Sequence, residues 1–582
     1  MDLVFDIETD DLKATKIHCL VAQDANSGEI FKFPPSNLQE GYELLSKANR
    51  LIGHNIIGFD IPMVEKFGGI KLRDKEVIDT LVLSRLFNPT REGGHSLEKW
   101  GYKLGLSKIN FEDYLNYSTE MLDYCVRDVQ LNTLVYKSLR NESKGFSKQS
   151  IELEQDVARI IKQQEENGFM FDMESALVLL AELREKSQQI EDEVHNTFKP
   201  KWVDDKLVTP YIKKDGNLSK RGLTDDEYQR CLDTNNFEPF MRQTLQEFNL
   251  GSRKQIGEYL VDFGWKPERF TPTGQPIVDE KTLSEVTHIR EAKLIADFLL
   301  IQKRIAQVDS WVEAVQEDGR VHGFVIPNGA ITGRMTHRSP NMAQVPSVHS
   351  PYGPECRACW IVDEGNVLLG VDASGLELRM LAHYMNDENY IKEILDGDIH
   401  TANQRAAQLK SRNQAKTFIY ALMYGAGDEK LGKVVEGSTA DGKRAREHFF
   451  DNNPAFKSLR DRVQRAASKK YLKGIDGRKL YIRNAHSALN TLLQGAGAIV
   501  MKKALSILDD VLQLNAVPYK FVANIHDEWQ LEVPEDKADF IGQFAVDSII
   551  KAGELFIAWP NTLSMLAIRT KASGKSLRIA FQ

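Results

Sequence analysis

Residues 367–385 read VLLGVDASGLELRMLAHYM, and their pattern changes at one carboxylate. The first residues form a short apolar run of strand type that ends at Asp372. Beyond Gly375 the apolar residues Leu376, Leu378, Met380 and Leu381 mark a helix packed on a core. A carboxylate at the end of a buried strand, just ahead of a helix, is exposed and held rigidly. A second stretch, YKFVANIHDEWQLEV at 519–533, reads as a hairpin with His526, Asp527 and Glu528 at its turn. Carboxylates at a hairpin tip beside apolar strands need cations to offset their repulsion. If Asp527 faces Asp372, the two can hold a pair of divalent cations. The plainer alternative is an ordinary polar turn.

Between these stretches lies RNQAKTFIYALMYG, residues 412–425. Arg412, Lys416 and Tyr420 recur every four residues, so they share one helix face. That face offers two cations for a polyphosphate and a ring for a base. Phe418, Ile419 and Leu422 would bury the other face. His400, in DGDIHTANQ, could reach the same phosphates. Two cations beneath such a face would lower the pKa of an attacking hydroxyl and neutralise charge on a transferred phosphoryl group.

The chain starts MDLVFDIETDDL, and Asp6 and Glu8 alternate onto one face of a strand. Asp60 follows a second strand in LIGHNIIGFDIP. Asp128 lies on a helix, four residues after Tyr124. An isolated DxE is commonly a surface pair. DIET, HNxxxFD and YxxxD in this order resemble the proofreading 3′–5′ exonucleases of the DEDD type, in the subgroup carrying Tyr. That resemblance implies Asp6, Glu8, Asp60 and Asp128 as metal ligands and Tyr124 as the group orienting the attacking water. Asp79 and His95 read as scaffold.

The chain has 582 residues, 42% hydrophobic and 27% charged, with 39 Gly and 19 Pro. That excludes collagen-like and wholly disordered classes, and the length suggests about four domain-sized units. Five cysteines suit a reducing compartment. The acidic start lacks the pattern of a secretory signal, and no apolar run reaches the roughly 18 residues a membrane helix needs. The net charge of −8 alone argues against a polyanion binder, but between Lys443 and Arg483 there are 13 basic and 4 acidic residues. A local basic face of this kind is what nucleic acid requires.

TGRMTHRSPNMAQVP, VDASGLELR, RNQAKTFIYALMYG, LNTLLQGAG and HDE, in this order, resemble the family A DNA polymerases. LIQKRIAQ, SPYGPECRA, YGAGDEK and GIDGRK are similar to the podophage (T-seven-like) replicative branch. The resemblance implies a multidomain α/β and α+β chain, a ribonuclease H-like exonuclease domain followed by a right-hand polymerase of palm, fingers and thumb. The expected division is an exonuclease at 1–145, a thumb region at 146–310 with a polar insertion near 199–247, and palm with fingers at 311–582, the fingers spanning about 400–500. Asp372, Asp527 and the Ala373 backbone would hold two Mg²⁺, with Mn²⁺ as a substitute, and Glu528 would sit beside them. Arg412, Lys416, Tyr420 and His400 would grip the incoming nucleotide, and Lys416 would neutralise the leaving pyrophosphate. Glu377 with Tyr420 would exclude a 2′-hydroxyl. Arg334, Asn341, Gln344, Gln494 and His526 would touch the primer-template, and Lys303 and Arg304 its backbone phosphates. The implied partners are primer-template DNA, dNTPs, a phage helicase-primase and a single-stranded DNA-binding protein, with no membrane and a monomeric polymerase subunit in the cytoplasm of a host cell.

Two features depart from the resemblance. The insertion near 199–247 is shorter than a thioredoxin-binding loop and unlike it, which argues against thioredoxin as a partner. The ending ELFIAWPNTLSMLAIRTKASGKSLRIAFQ, residues 554–582, is unlike the family's ending. This leaves an alternative in which the chain is a 3′–5′ exonuclease whose polymerase half only binds DNA. A single-subunit RNA polymerase is argued against by Glu377 and the exonuclease motifs, and a non-catalytic fork binder by both carboxylate sets. ASGKS lacks the first Gly of a P-loop, and Cys356 with Cys359 lacks a second pair for zinc.

Overall fold

The computed structural model describes residues 1–556, 567–573 and 575–580. The divergent ending and the ASGKS stretch fall in part outside the described residues.

Strand Asp2–Thr9 is central to a five-stranded sheet because both its faces are apolar or covered. Leu3, Phe5 and Ile7 pack one face, while Val4 packs the other against Met121, Cys125 and Val129. Ile17–Asp24 and Ile30–Phe33 pair antiparallel on one side, Arg50–Gly53 and Glu76–Asp79 parallel on the other. Such mixed sheets take crossover helices on their faces, here Asp60–Gly68 and Thr119–Glu142. This is the ribonuclease H-like arrangement the resemblance implied.

A second sheet is antiparallel, in the order Lys520–Ile525, Glu528–Pro534, Asn366–Ala373, Ala567–Ser573, Lys575–Ala580. Val367, Leu369 and Val371 face Val533, Leu531 and Trp529 across the central pair, all of them buried in one apolar cluster with helices Ala488–Leu514 and Ala538–Phe556. Of these, residues 485–514 are long and apolar enough to cross a bilayer, a property the sequence reading missed, but 89% of their apolar window is buried in the protein. Helices Ile399–Ala407, Arg412–Met423, Asp428–Val434, Thr439–Asn452 and Pro454–Ala466 pack around Phe418, Phe449, Phe450 and Phe456.

Two compact units carry the chain: 1–172 with 314–345 and 360–582, and 173–313 with 346–359. Helix Lys148–Asn167, assigned to the thumb region by the sequence, thus falls in the first unit. The second unit is built on antiparallel helices Met173–Thr197 and Arg290–Val312, tied by Arg184 to Asp309 at 2.8 Å and by Gln302 to Ser187 at 2.8 Å. The expected loop module near 199–247 is folded, with hairpin strands Lys201–Val208 and Phe240–Gln246 and a helix, Asp225–Thr234, opened by a Thr224–Glu227 capping box.

Candidate active sites

Strand pairing brings the second carboxylate set together. Asp372 stands opposite Glu528 in the ladder, and the Ala373 N–H donates to the Asp527 carbonyl at 3.1 Å. Directly opposed residues share a sheet face, so Asp372 and Glu528 emerge together at the hairpin tip. His526 takes φ 55°, a left-handed turn position that aims the following Asp527 back toward that strand end. Glu377, in the first turn of Leu376–Met385 and 8% exposed, joins them. Arg334 bridges the group, 3.2 Å from Asp527 Oδ1 and 3.3 Å from Glu377 Oε1. Burial pushes the Asp527 carboxyl above its ordinary range, and Arg334 opposes that rise.

Helix Arg412–Met423 is capped by Ser411, whose hydroxyl accepts the Gln414 N–H. Ala415, Phe418, Ile419 and Leu422 are buried, while Arg412 and Lys416 are exposed and Tyr420 half-buried. The expected two faces are therefore present. Arg412 is paired with Asp398 at 2.6 Å. His400 lies near both cations: burial, then Arg412 and Lys416, lower its pKa, and its buried Nδ1 has no hydrogen-bond partner. Burial, then Glu377 and Asp527, raises the pKa of Tyr420.

The first carboxylate set also converges. Asp6 and Glu8 face helix Thr119–Glu142, which supplies Tyr124 and Asp128 from successive turns. Asp60 opens its helix, and its Oδ1 accepts the Ile7 N–H at 3.1 Å, between Asp6 and Glu8 along the strand. Asp79 fixes the loop ahead of Asp60 by accepting the N–H groups of Asn55 and Ile57, at 3.0 and 3.2 Å. Carboxylate oxygens of Asp6 and Glu8 and the Cys125 Sγ lie within 4.8 Å of one another. Burial, then the neighbouring carboxylates, holds Asp6 well above the usual range. Burial pushes Glu8 up to about 9 and Asp60 to about 7.

The profile of DNA polymerase family A matches residues 225–563. The DNA-directed DNA polymerase of Enterobacteria phage T3 is 33% identical, with 95% of this chain and 97% of that protein covered. That of Escherichia phage T7 is 32% identical, covering 91% and 93%. The chain belongs to DNA polymerase family A. In fold it is similar to the polymerase domain of Pol1 from M. smegmatis, solved with primer-template DNA and dNTP, at a TM-score of 0.77, 19% identity and coverage of 95% and 92%.

Within this family A chain the two carboxylate sets fit divalent cations on their own chemistry. Both are hard oxygen donors of the kind Mg²⁺ and Mn²⁺ take. The first set has a buried Asp128 Oδ1 with no hydrogen-bond partner, and carboxyls raised first by burial and, for Asp6 and Glu8, further by neighbouring carboxylates. Asp372, Asp527 and the Ala373 carbonyl would hold ions in one site; Asp6, Glu8, Asp60 and Asp128 would hold them in the other.

The expected DNA contacts divide. Lys303, Asn341, Gln344 and His526 are exposed, and Gln494 is half-buried on the long palm helix. One expectation is corrected. Arg304 is 7% exposed, its Nε donates to the Pro351 carbonyl at 3.3 Å and its Nη1 to Gln307 at 2.7 Å, so it ties its helix to residues 346–359 rather than presenting itself to a phosphate. Arg334 lies inside the carboxylate cluster, where the newest pairs of a primer-template were expected.

Sequence reasoning missed two further groups. The Tyr424 hydroxyl donates to Glu377 Oε2 at 2.8 Å; its signal was the four-residue series 412, 416, 420 continued by one more step. Lys108 Nζ lies 2.5 Å from Asp128 Oδ2, and no local pattern marked it. Cys356 and Cys359 are buried, and the Cys359 thiol donates to the Glu355 carbonyl at 3.4 Å.

Proposed function

We propose that this family A polymerase copies phage DNA by two-metal nucleotidyl transfer at Asp372 and Asp527, and proofreads with a 3′–5′ exonuclease at Asp6, Glu8, Asp60 and Asp128. The observation that carries the reading is the convergence of Asp372 with the sequence-remote pair Asp527 and Glu528, beside a helix that bears exposed Arg412 and Lys416 and half-buried Tyr420 on one face. Two bound Mg²⁺ ions, replaceable by Mn²⁺, would activate the primer hydroxyl and neutralise charge on the phosphoryl group. Arg412, Lys416 and His400 hold the triphosphate, and Lys416 meets the leaving pyrophosphate. Glu377, fixed by Tyr424 and Arg334, closes the space a 2′-hydroxyl would need. In the other site, Tyr124 orients the water that attacks the terminal phosphodiester.

Primer-template DNA and dNTPs are the substrates; exposed Asn341, Gln344 and His526 would lie along the duplex, and exposed Lys303 of the second unit would meet a backbone phosphate. The setting proposed is the host cell cytoplasm, with the chain as a monomeric subunit beside a phage helicase-primase and single-stranded DNA-binding protein. The test is one labelled primer-template resolved on a gel with and without dNTPs and Mg²⁺. Asp372→Ala and Asp527→Ala should each abolish extension and leave 3′ degradation; Asp6→Ala should do the reverse. Extension by either palm variant refutes the assignment.

A further inference from the structure

The exonuclease pocket contains a cation of its own. Lys108 Nζ is 2.5 Å from Asp128 Oδ2 and 4.8 Å from the centre of the Tyr124 ring. It arrives on residues 106–117, a segment fixed over the same helix. Arg127 donates to the Ser107 carbonyl at 3.2 Å, Phe111 stacks on Tyr124 with ring centres 5.5 Å apart, and the Tyr114 carbonyl meets His18 Nε2 at 3.0 Å. The lysine is thus built into the site rather than draped over it. Its side chain remains 25% exposed, so solvent reaches it.

Charge balance shows what it is for. The pocket's carboxylates, Asp6, Glu8, Asp60 and Asp128, carry four negative charges when ionised, and two divalent cations cancel them. An ammonium beside a neutral cluster is then one positive charge in excess, and the entering phosphodiester supplies one negative charge. We propose that Lys108 releases Asp128 in the metal-loaded site and binds a non-bridging oxygen of the terminal phosphodiester, acting as the substrate-charge sensor of proofreading. This rests on the exonuclease reading above and adds a residue to it. No bond is made or broken by Lys108; it supplies a charge-assisted hydrogen bond.

The test uses the full chain, Ca²⁺ in place of Mg²⁺, and two fluorescent single-stranded oligonucleotides. One has an ordinary 3′-terminal phosphodiester, the other an uncharged methylphosphonate at that linkage. Anisotropy gives the affinity ratio between them. Wild type should favour the charged linkage, and Lys108→Met should reduce that ratio about tenfold, the scale of a lost charge-assisted hydrogen bond, with Lys108→Arg recovering part of it. Primer extension by each variant checks that it is folded. A ratio unchanged in Lys108→Met overturns the proposal, even if both affinities fall together, because a purely structural role weakens both alike. Wild type that neither favours the charged linkage nor degrades single strands in Mg²⁺ overturns the exonuclease reading as well, whereas degradation with an unchanged ratio overturns only the role of Lys108.

Discussion

Replacing Glu154 by Gln should destabilise the first unit by about 3–5 kcal/mol, the cost of removing one partner from a buried ion pair. Glu154 sits on helix Lys148–Asn167 with its side chain fully buried. Lys502 Nζ is 2.8 Å from both its oxygens and Arg478 Nη1 is 2.6 Å away, each cation only 3% exposed. Arg478 keeps Asp476 at 2.7 Å after the substitution, whereas Lys502 loses its carboxylate. The cost therefore falls on one uncompensated ammonium, partly offset by the hydrogen bond Gln can still accept. The same helix holds the N-terminal five-stranded sheet through Gln155, which accepts the Asp79 N–H at 3.0 Å, and the palm through Asn167, which donates to the Phe521 carbonyl at 2.9 Å. Both activities should fall together at temperatures the wild type tolerates. Urea unfolding of wild type, Glu154→Gln, Glu154→Leu, Lys502→Met and the pair Glu154→Leu with Lys502→Met gives the coupling directly. The apolar pair should recover most of the loss. The pairing holds the Glu154 carboxyl below its ordinary value despite burial. Its contribution is therefore complete above the ordinary carboxyl range and fades as pH drops toward the lowered value. The wild-type and Glu154→Gln stabilities should converge only in acid. A Glu154→Gln cost under about 1 kcal/mol at neutral pH refutes the strut, because a buried unpaired ammonium cannot be that cheap.

Three other outcomes follow from the two sites. Tyr424→Phe removes the hydroxyl that fixes Glu377 and should lower discrimination of dNTP from rNTP about tenfold, the scale of one hydrogen bond to a charged group; single-nucleotide kcat/KM values for both sugars measure it, and unchanged selectivity contradicts it. Arg412→Ala should raise the dNTP KM tenfold or more through loss of a phosphate contact, with little change in thermal stability, since its pair with Asp398 is half exposed; a KM equal to wild type removes Arg412 from the nucleotide grip. At limiting Mg²⁺, degradation of single strands should climb from about pH 6 to about pH 9, because Asp60 and Glu8, at about 7 and about 9, must lose protons to take a cation. Raising Mg²⁺ should move that limb to lower pH, and a flat profile speaks against the raised carboxyls.

What the sequence made legible were features with local signals. Asp372 and Asp527 declared themselves by a strand end and a hairpin tip, and Arg412, Lys416 and Tyr420 by a four-residue repeat. Lys108 and Arg334 were not legible as neighbours of carboxylates, because their partners Asp128, Glu377 and Asp527 are brought in by other elements. The 199–247 module was hidden for a different reason. Trp202 opposes Leu245, and Leu207 opposes Met241, all four exposed, so no buried face imposes alternation on either strand.

The palm strands show why the legible part sufficed. Val367, Leu369 and Val371 pack against Val533, Leu531 and Trp529 on the core face, which leaves Leu368, Gly370 and Asp372 on the other. A slip of this strand by one residue would bury Asp372, expose Val367, Leu369 and Val371, and break three apolar pairs at once. Each fully buried side chain of that size contributes about 1.5–3 kcal/mol, so the slipped register lies many kcal/mol above the native one. The position of the proposed catalytic carboxylate is thus set by residues that do no chemistry, and an apolar-to-polar change at Leu369 or Leu531 should abolish extension as completely as the loss of Asp372 itself.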